Sequence, residues 1–133
     1  MSEQNVISKL TVTNNEASAD IEQYRVVCVD TTDNEGGKLP AAVTSPPLGI
    51  SQAHAAAGET VALAYAGISY VTVAAAVTRG DTLIISGTAG KVASKGISTH
   101  TSGTAIIGTA LKSATTDGNI IPVLLTIGSQ ISS

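Results

Sequence analysis

The chain has 133 residues, enough for one domain and too few for two ordinary ones. It contains no Phe or Trp and only three Tyr, so a core has to be built from Val, Ile, Leu and Ala, each of which buries little area. A net charge of −3 with seven scattered Lys and Arg leaves no basic stripe for phosphates and argues against a nucleic-acid partner, while the single cysteine, Cys28, excludes an intrachain disulfide and a multi-cysteine metal site.

The first stretch is polar: Ser2, Glu3, Gln4, Asn5, Val6, Ile7, Ser8, Lys9, Leu10, Thr11 and Val12 alternate only weakly, and residues 14–20 are a cluster of Asn, Glu, Ala, Ser and Asp. It has neither the basic start nor the apolar run of a signal peptide. We expect an N-terminal arm over residues 1–20, a β-rich domain over 21–128 and a short tail over 129–133. Residues 24–29, with Val-Val-Cys-Val, predict a strand that places Cys28 in the core, and the Asp, Asn and Gly of residues 30–38 predict a long turn. Residues 41–44 predict a short returning strand. Pro46 and Pro47 then oppose helix and central-strand pairing, because neither has an N–H to donate.

Residues 58–92 organise the rest. Val61, Leu63 and Tyr65 alternate with Ala62 and Ala64, Gly67 is read as ending that strand, and residues 68–73 and 81–85 predict further strands, with Gly87 and Gly90 bracketing a tight connection. The segment between Glu59 and Arg79 carries no charge, yet its period is two and it contains Thr60, Gly67, Ser69 and Thr72. Burial on both faces of a strand explains it better than a membrane span. A weak internal echo links Leu48-Gly49-Ile50, leading to Gly58-Glu59-Thr60-Val61, with Ile107-Gly108-Thr109, leading to Gly118-Asn119-Ile120-Ile121. Two copies of a hairpin-like unit flanking a meander predict a small barrel or sandwich. Residues 53–57 and 74–77 are long enough for single helical turns only.

A search for chemistry yields no catalytic set. His54 and His100 have no second His, Glu or Cys at metal-ligand spacing. The acids of residues 30–35 lack the alternating oxygen ligands of a calcium loop. Gly96-Ile97-Ser98 lacks the closing glycine of a nucleophile elbow, and Gly90-Lys91 lacks the rest of a phosphate loop. Arg79-Gly80-Asp81 spells a tripeptide of cell-adhesion ligands, but a turn accounts for it. We therefore expect no enzymatic activity, no cofactor, no metal and no small-molecule substrate.

The runs Leu48-Gly49-Ile50, Ala56-Ala57-Gly58-Glu59-Thr60-Val61, Ala74-Ala75-Ala76-Val77-Thr78-Arg79-Gly80-Asp81, Gly90-Lys91-Val92 and Ile107-Gly108-Thr109-Ala110-Leu111 resemble the capsid cement, or head decoration, proteins of tailed bacteriophages, with the likeness covering residues 24–125. The resemblance implies a small β-rich protein, with a tulip-like or barrel fold, on the outer surface of the virion capsid after synthesis in the host cytoplasm. It further implies the major capsid protein as partner and a homotrimer as the assembly. The arm from Ser2 to Val12 is the expected capsid contact, since an extended polar segment can add a strand to an exposed sheet edge. The competing reading is a small β module of a phage tail or fibre that recognises carbohydrate or a host surface. Both readings require a mainly β protein of short antiparallel strands. Far-ultraviolet circular dichroism of the purified chain is expected to show a β spectrum, and a helix-dominated one contradicts both.

Overall fold

A computed structural model describes residues 5–16, 18–30, 36–96 and 103–130. Among them are nine strands: β1 (Asn5–Asn14), β2 (Val26–Val29), β3 (Gly36–Lys38), β4 (Pro47–Ser51), β5 (Thr60–Thr72), β6 (Thr82–Ser86), β7 (Lys91–Ser94), β8 (Ala105–Ala110) and β9 (Ile120–Gln130). None of the described residues is helical. The sheet order is β1-β3-β2-β4-β5-β9-β8-β6-β7, and β1 also pairs with β5, so the first five strands close into a small barrel. Beyond that barrel β5 changes partner and pairs with β9 from Ile68↔Leu124 to Thr72↔Ile120. A parallel bridge between Val73 and Val92 then brings β7 back to the end of β5, closing β5, β9, β8, β6 and β7 into a second ring.

The two rings are copies of one unit that share β5. The parallel pairing of β1 with β3 in the first is matched by the Val73–Val92 bridge in the second. The antiparallel bridge Ile21↔Ala55 is matched by Val77↔Ala114. In the first ring the Tyr24 N–H donates to the Ser51 carbonyl and the Gly58 N–H to that of Asn14; in the second, Gly80 donates to Ala110 and Gly118 to Val73. Even the positive φ recurs, at Tyr24 (63°) and at Gly80 (96°).

This repeat explains how a core without Phe or Trp is filled. Val12, Ile21, Val27, Ala55, Val61 and Leu63 form one buried cluster, and Val71, Val77, Leu83, Ala114, Ile121 and Val123 occupy the matching positions in the other. The interior of a five-stranded barrel is narrow, so medium aliphatic side chains fill it. Val26, Cys28, Ile50 and Ala64 project from the outer side of the first barrel and are buried with the core of the second. Along much of β2 and β5 residues facing both ways are therefore covered in whole or part, which is why these strands carry no charge. Burial pushes the Cys28 thiol up to about 12, by desolvation of the thiolate.

The close approach of neighbouring strands depends on Gly49 and Gly108, again equivalent. A Cβ on Gly49 would stand 2.6 Å from the Ala64 carbonyl oxygen, and one on Gly108 closer still to that of Leu124. The turn glycines Gly58 and Gly118 lie at φ 86° and 93° with open space around them, so they are needed for conformation and not for room.

Several expectations are revised. The N-terminal segment is not set apart from the domain: β1 pairs with β5 from Asn5↔Ile68 to Thr13↔Thr60, and Val12 belongs to the first core. Likewise β9 runs through residue 128 to Gln130, across the expected start of the tail. Residues 36–38 form β3 inside what reads as a turn, because they pair with both β1 and β2, whereas residues 41–44 bend and turn. Pro47 opens β4, where a missing N–H is tolerated. Gly67 does not end its strand: at φ 89° it sits beside irregularities in the β1–β5 pairing, and the strand continues to Thr72. The same irregularity leaves Tyr65 unpaired between Ala64 and Ala66, so it points outward instead of following Val61 and Leu63 inward. The alanines of residues 53–57 and 74–77 form bridges and turns, not helical turns.

Gly49→Ala and Gly108→Ala are each expected to lower the unfolding free energy by about 1–3 kcal/mol in urea titration, because backbone has to move. Gly58→Ala, which meets no neighbour, should cost only the left-handed strain of about 1–2 kcal/mol. An unchanged midpoint for Gly108→Ala would show that the strands can spread freely there.

Candidate functional site

The structure divides the expected contact arm. Ser2, Glu3 and Gln4 lie outside the described residues, and Asn5, Val6, Ile7 and Ser8 form the start of β1. Lys9 and Thr11 are exposed on that strand, Leu10 is half-buried against the first core, and Val12 is buried in it. What is available for contact on β1 is thus its outward side, held at a fixed register by β5. Residues 31–35 and 97–102 lie outside the described residues; next to the first of these segments is an open groove lined by Asp30, Lys38, Leu39 and Pro46.

A second surface feature is apolar. Tyr65, Ile120 and Leu124 are 42 %, 50 % and 44 % exposed. Leu124 lies opposite Ile68 in the β5–β9 ladder, and on the same side of β5 is Tyr70, whose ring meets that of Tyr24 edge-on at a centroid distance of 5.5 Å. Ile120 and Leu124 thus lie on one face of β9, and Tyr65 is a further exposed ring on β5. Sequence reading places Tyr65 on the same face as Val61 and Leu63, which are buried, and so misses it, because the irregular pairing that turns it outward is set by β1, more than fifty residues away.

The third feature is ionic and was also missed. Ile21 and Ala55 exchange backbone hydrogen bonds of 2.8 and 2.9 Å. Their flanking residues Asp20, Glu22 and His54 thereby meet at the surface: His54 Nε2 lies 2.7 Å from Asp20 Oδ2 and 3.9 Å from Glu22 Oε2. The buried Asn14 amide holds the two segments together, Nδ2 donating to the carbonyls of Ala19 at 3.1 Å and Ala55 at 3.0 Å. The hydrogen bond to Asp20 raises the His54 pKa above its ordinary value; desolvation opposes it, and the charges of Asp20, Glu22 and Glu59 add to the rise. Spacing in the sequence could not reveal the cluster, since its members are 34 residues apart.

Elsewhere, Arg79-Gly80-Asp81 is a turn. Arg79 Nη1 donates to the Leu111 carbonyl and the Thr78 N–H to Asp81 Oδ2, so both charged ends are committed to the local structure. The uncharged segment read against a membrane span is β5 and the connection after it, and no helix among the described residues is long and apolar enough to cross a membrane.

A family model described as phage cement protein matches residues 5–125, which takes in both barrels. The chain belongs to the phage cement protein family. Membership makes it a bacteriophage capsid structural protein and implies capsid protein as its partner. Among solved structures, the N base of the head fibre protein gp8.5 of bacteriophage phi29 is similar, at a TM-score of 0.66 and 17 % identity over 95 % of this chain and 98 % of that one. At that identity the likeness concerns the fold. No curated protein matches the chain in sequence.

The ionic cluster gives a direct prediction. In an NMR pH titration His54 should titrate above the ordinary 6.5, and Asp20→Asn should move it back down. Because the folded pKa is raised, the contribution of the pair to stability is present below 6.5 and is lost as pH rises through the folded value. A His54 midpoint unaffected by Asp20→Asn would show that the hydrogen bond does not persist in solution.

Proposed function

We propose that the chain binds the outer surface of the capsid and cements neighbouring major capsid protein subunits, without catalysis. The observation that carries this reading is the family match over residues 5–125, which takes in every strand except the end of β9 and therefore concerns both barrels. A clamp of this kind acts by area and fit: parting two subunits also requires breaking its contacts with each. Two closed barrels sharing a strand suit that task, because load on either is passed to the other through the β5 backbone. They also leave few open strand edges on which to aggregate.

The segment from Ser2 to Val12 remains our candidate contact, now divided into the residues before β1 and the outward side of β1 around Lys9 and Thr11. We assign the protein a homotrimeric assembly on the capsid, in which three copies combine weak contacts into tight attachment. The exposed Tyr65, Ile120 and Leu124 supply area for a protein contact, at about 25 cal/mol per Å² buried. A second reading is favoured by the fold of the phi29 head fibre base: this chain would be the foot of a fibre on the capsid, or a fibre or tail module facing the host.

Purified chain mixed with capsids that lack it should co-sediment, and antibody should label the shell of intact particles. Label confined to tails overturns cementing. Deleting Ser2 to Gln4 together with Lys9→Glu should weaken co-sedimentation while the circular dichroism spectrum is kept, whereas removing residues 2–12 entirely also removes a barrel strand and is expected to unfold the first barrel. A single copy per site on intact capsids excludes the trimer.

A further inference from the structure

We propose that Asp20, Glu22 and His54 form a surface site for a divalent transition-metal ion of the zinc class. Their three donor atoms all lie within 4.8 Å of one another. A tetrahedral zinc ion with bonds of about 2.0–2.2 Å holds its ligand atoms roughly 3.3–3.5 Å apart, and the His54 distances of 2.7 Å to Asp20 and 3.9 Å to Glu22 bracket that spacing. Small side-chain rotations suffice, since all three residues are exposed. An imidazole with two carboxylates favours zinc, nickel or copper over calcium or magnesium, which prefer all-oxygen sets. Three protein ligands leave a fourth position for water or for a group on a partner.

The second barrel supplies an independent comparison, because it builds the same bridge and turn from other residues. At the positions of Asp20, Glu22 and His54 it carries Ala76, Thr78 and Ser113, flanking the bridge Val77↔Ala114. There the Ser113 hydroxyl accepts the Arg79 N–H at 2.9 Å, a neutral hydrogen bond between the two connections. The fold therefore does not require an imidazole or two acids at this corner. By contrast Glu59, the fourth ionisable group near His54, has a structural role: Oε1 accepts the Ala56 N–H at 2.7 Å, as Asn119 Oδ1 accepts that of Thr116 in the second barrel. After that role is assigned to Glu59, the three remaining groups have no counterpart in the repeat.

The site is also prepared before the ion arrives. The two Ile21–Ala55 hydrogen bonds and the Asn14 amide fix the backbone on either side of the donors, so binding has little chain to order. A bound ion would tie the β1–β2 connection to the β4–β5 connection and stabilise the first barrel by mass action. It would displace the proton shared between His54 and Asp20, so affinity should rise with pH across the His54 titration.

The test uses the full chain, freed of metal with a chelator and titrated calorimetrically with zinc chloride, with calcium chloride as the contrasting ion. We expect saturable zinc binding, a raised melting temperature, and loss of both in His54→Ala and in Glu22→Gln. Asp117→Asn, at an exposed acid paired with Lys91 and remote in sequence, should leave zinc binding intact. Cobalt should give the visible absorption of a tetrahedral complex. Zinc should shift the His54 ring resonances of the unmutated chain, which keeps the test independent of how the variants fold. Absence of saturable zinc binding, equal binding by His54→Ala, equal binding of calcium, or unshifted His54 resonances overturns the proposal.

Discussion

Strand β5 is paired along both edges and changes partners halfway, and everything else in the molecule is arranged around that exchange. Its first half pairs with β1 and β4 and its second with β9, while the backbone just beyond it is bridged to β7. A strand exposed on one edge would offer unpaired N–H and C=O groups to other chains; one used twice does not. The cost is that β5 has to turn from one barrel into the other without breaking its ladder. Gly67 at positive φ and the irregular pairing around Tyr65 accomplish that bend.

The same constraint accounts for the composition. Each barrel is closed by five strands, and its interior takes six matched aliphatic or alanine side chains and has little room for rings. Neighbouring strands within a barrel are likewise close, since Ala64 and Gly49 meet on β5 and β4 with no space for a methyl group. Stability here comes from dense packing of small groups and continuous backbone pairing more than from large buried surfaces.

Function on such a body has to reside on its outside. The two halves share their interior position by position, but their surfaces have diverged: the first barrel carries the acids and His54 at its bridge, and the second carries the exposed Leu124 and Ile120. A repeat whose copies keep the core and differ at the corners presents two different faces to its surroundings. That arrangement suits the proposed role, in which one face meets the capsid and the other does not.

The β class was legible from the sequence, because alternation at period two and glycine at turns are local consequences of strand geometry. So were the tight β6–β7 connection at Gly87 and Gly90, the buried setting of Cys28 and, faintly, the repeat that pairs Gly49 with Gly108. The resemblance to cement proteins rested on those same glycine-anchored runs, and the family match over residues 5–125 agrees with it. Only the tertiary structure decided that β1 is a barrel strand, that β5 serves two barrels, that Tyr65 faces outward and that Asp20, Glu22 and His54 converge. In each of these cases the deciding partner lies tens of residues away, as Val12 from Val61 and Asp20 from His54. A strand's own sequence specifies which of its residues alternate; its register and its neighbours are set by hydrogen bonds to distant chain, and those decide which alternating face is inside.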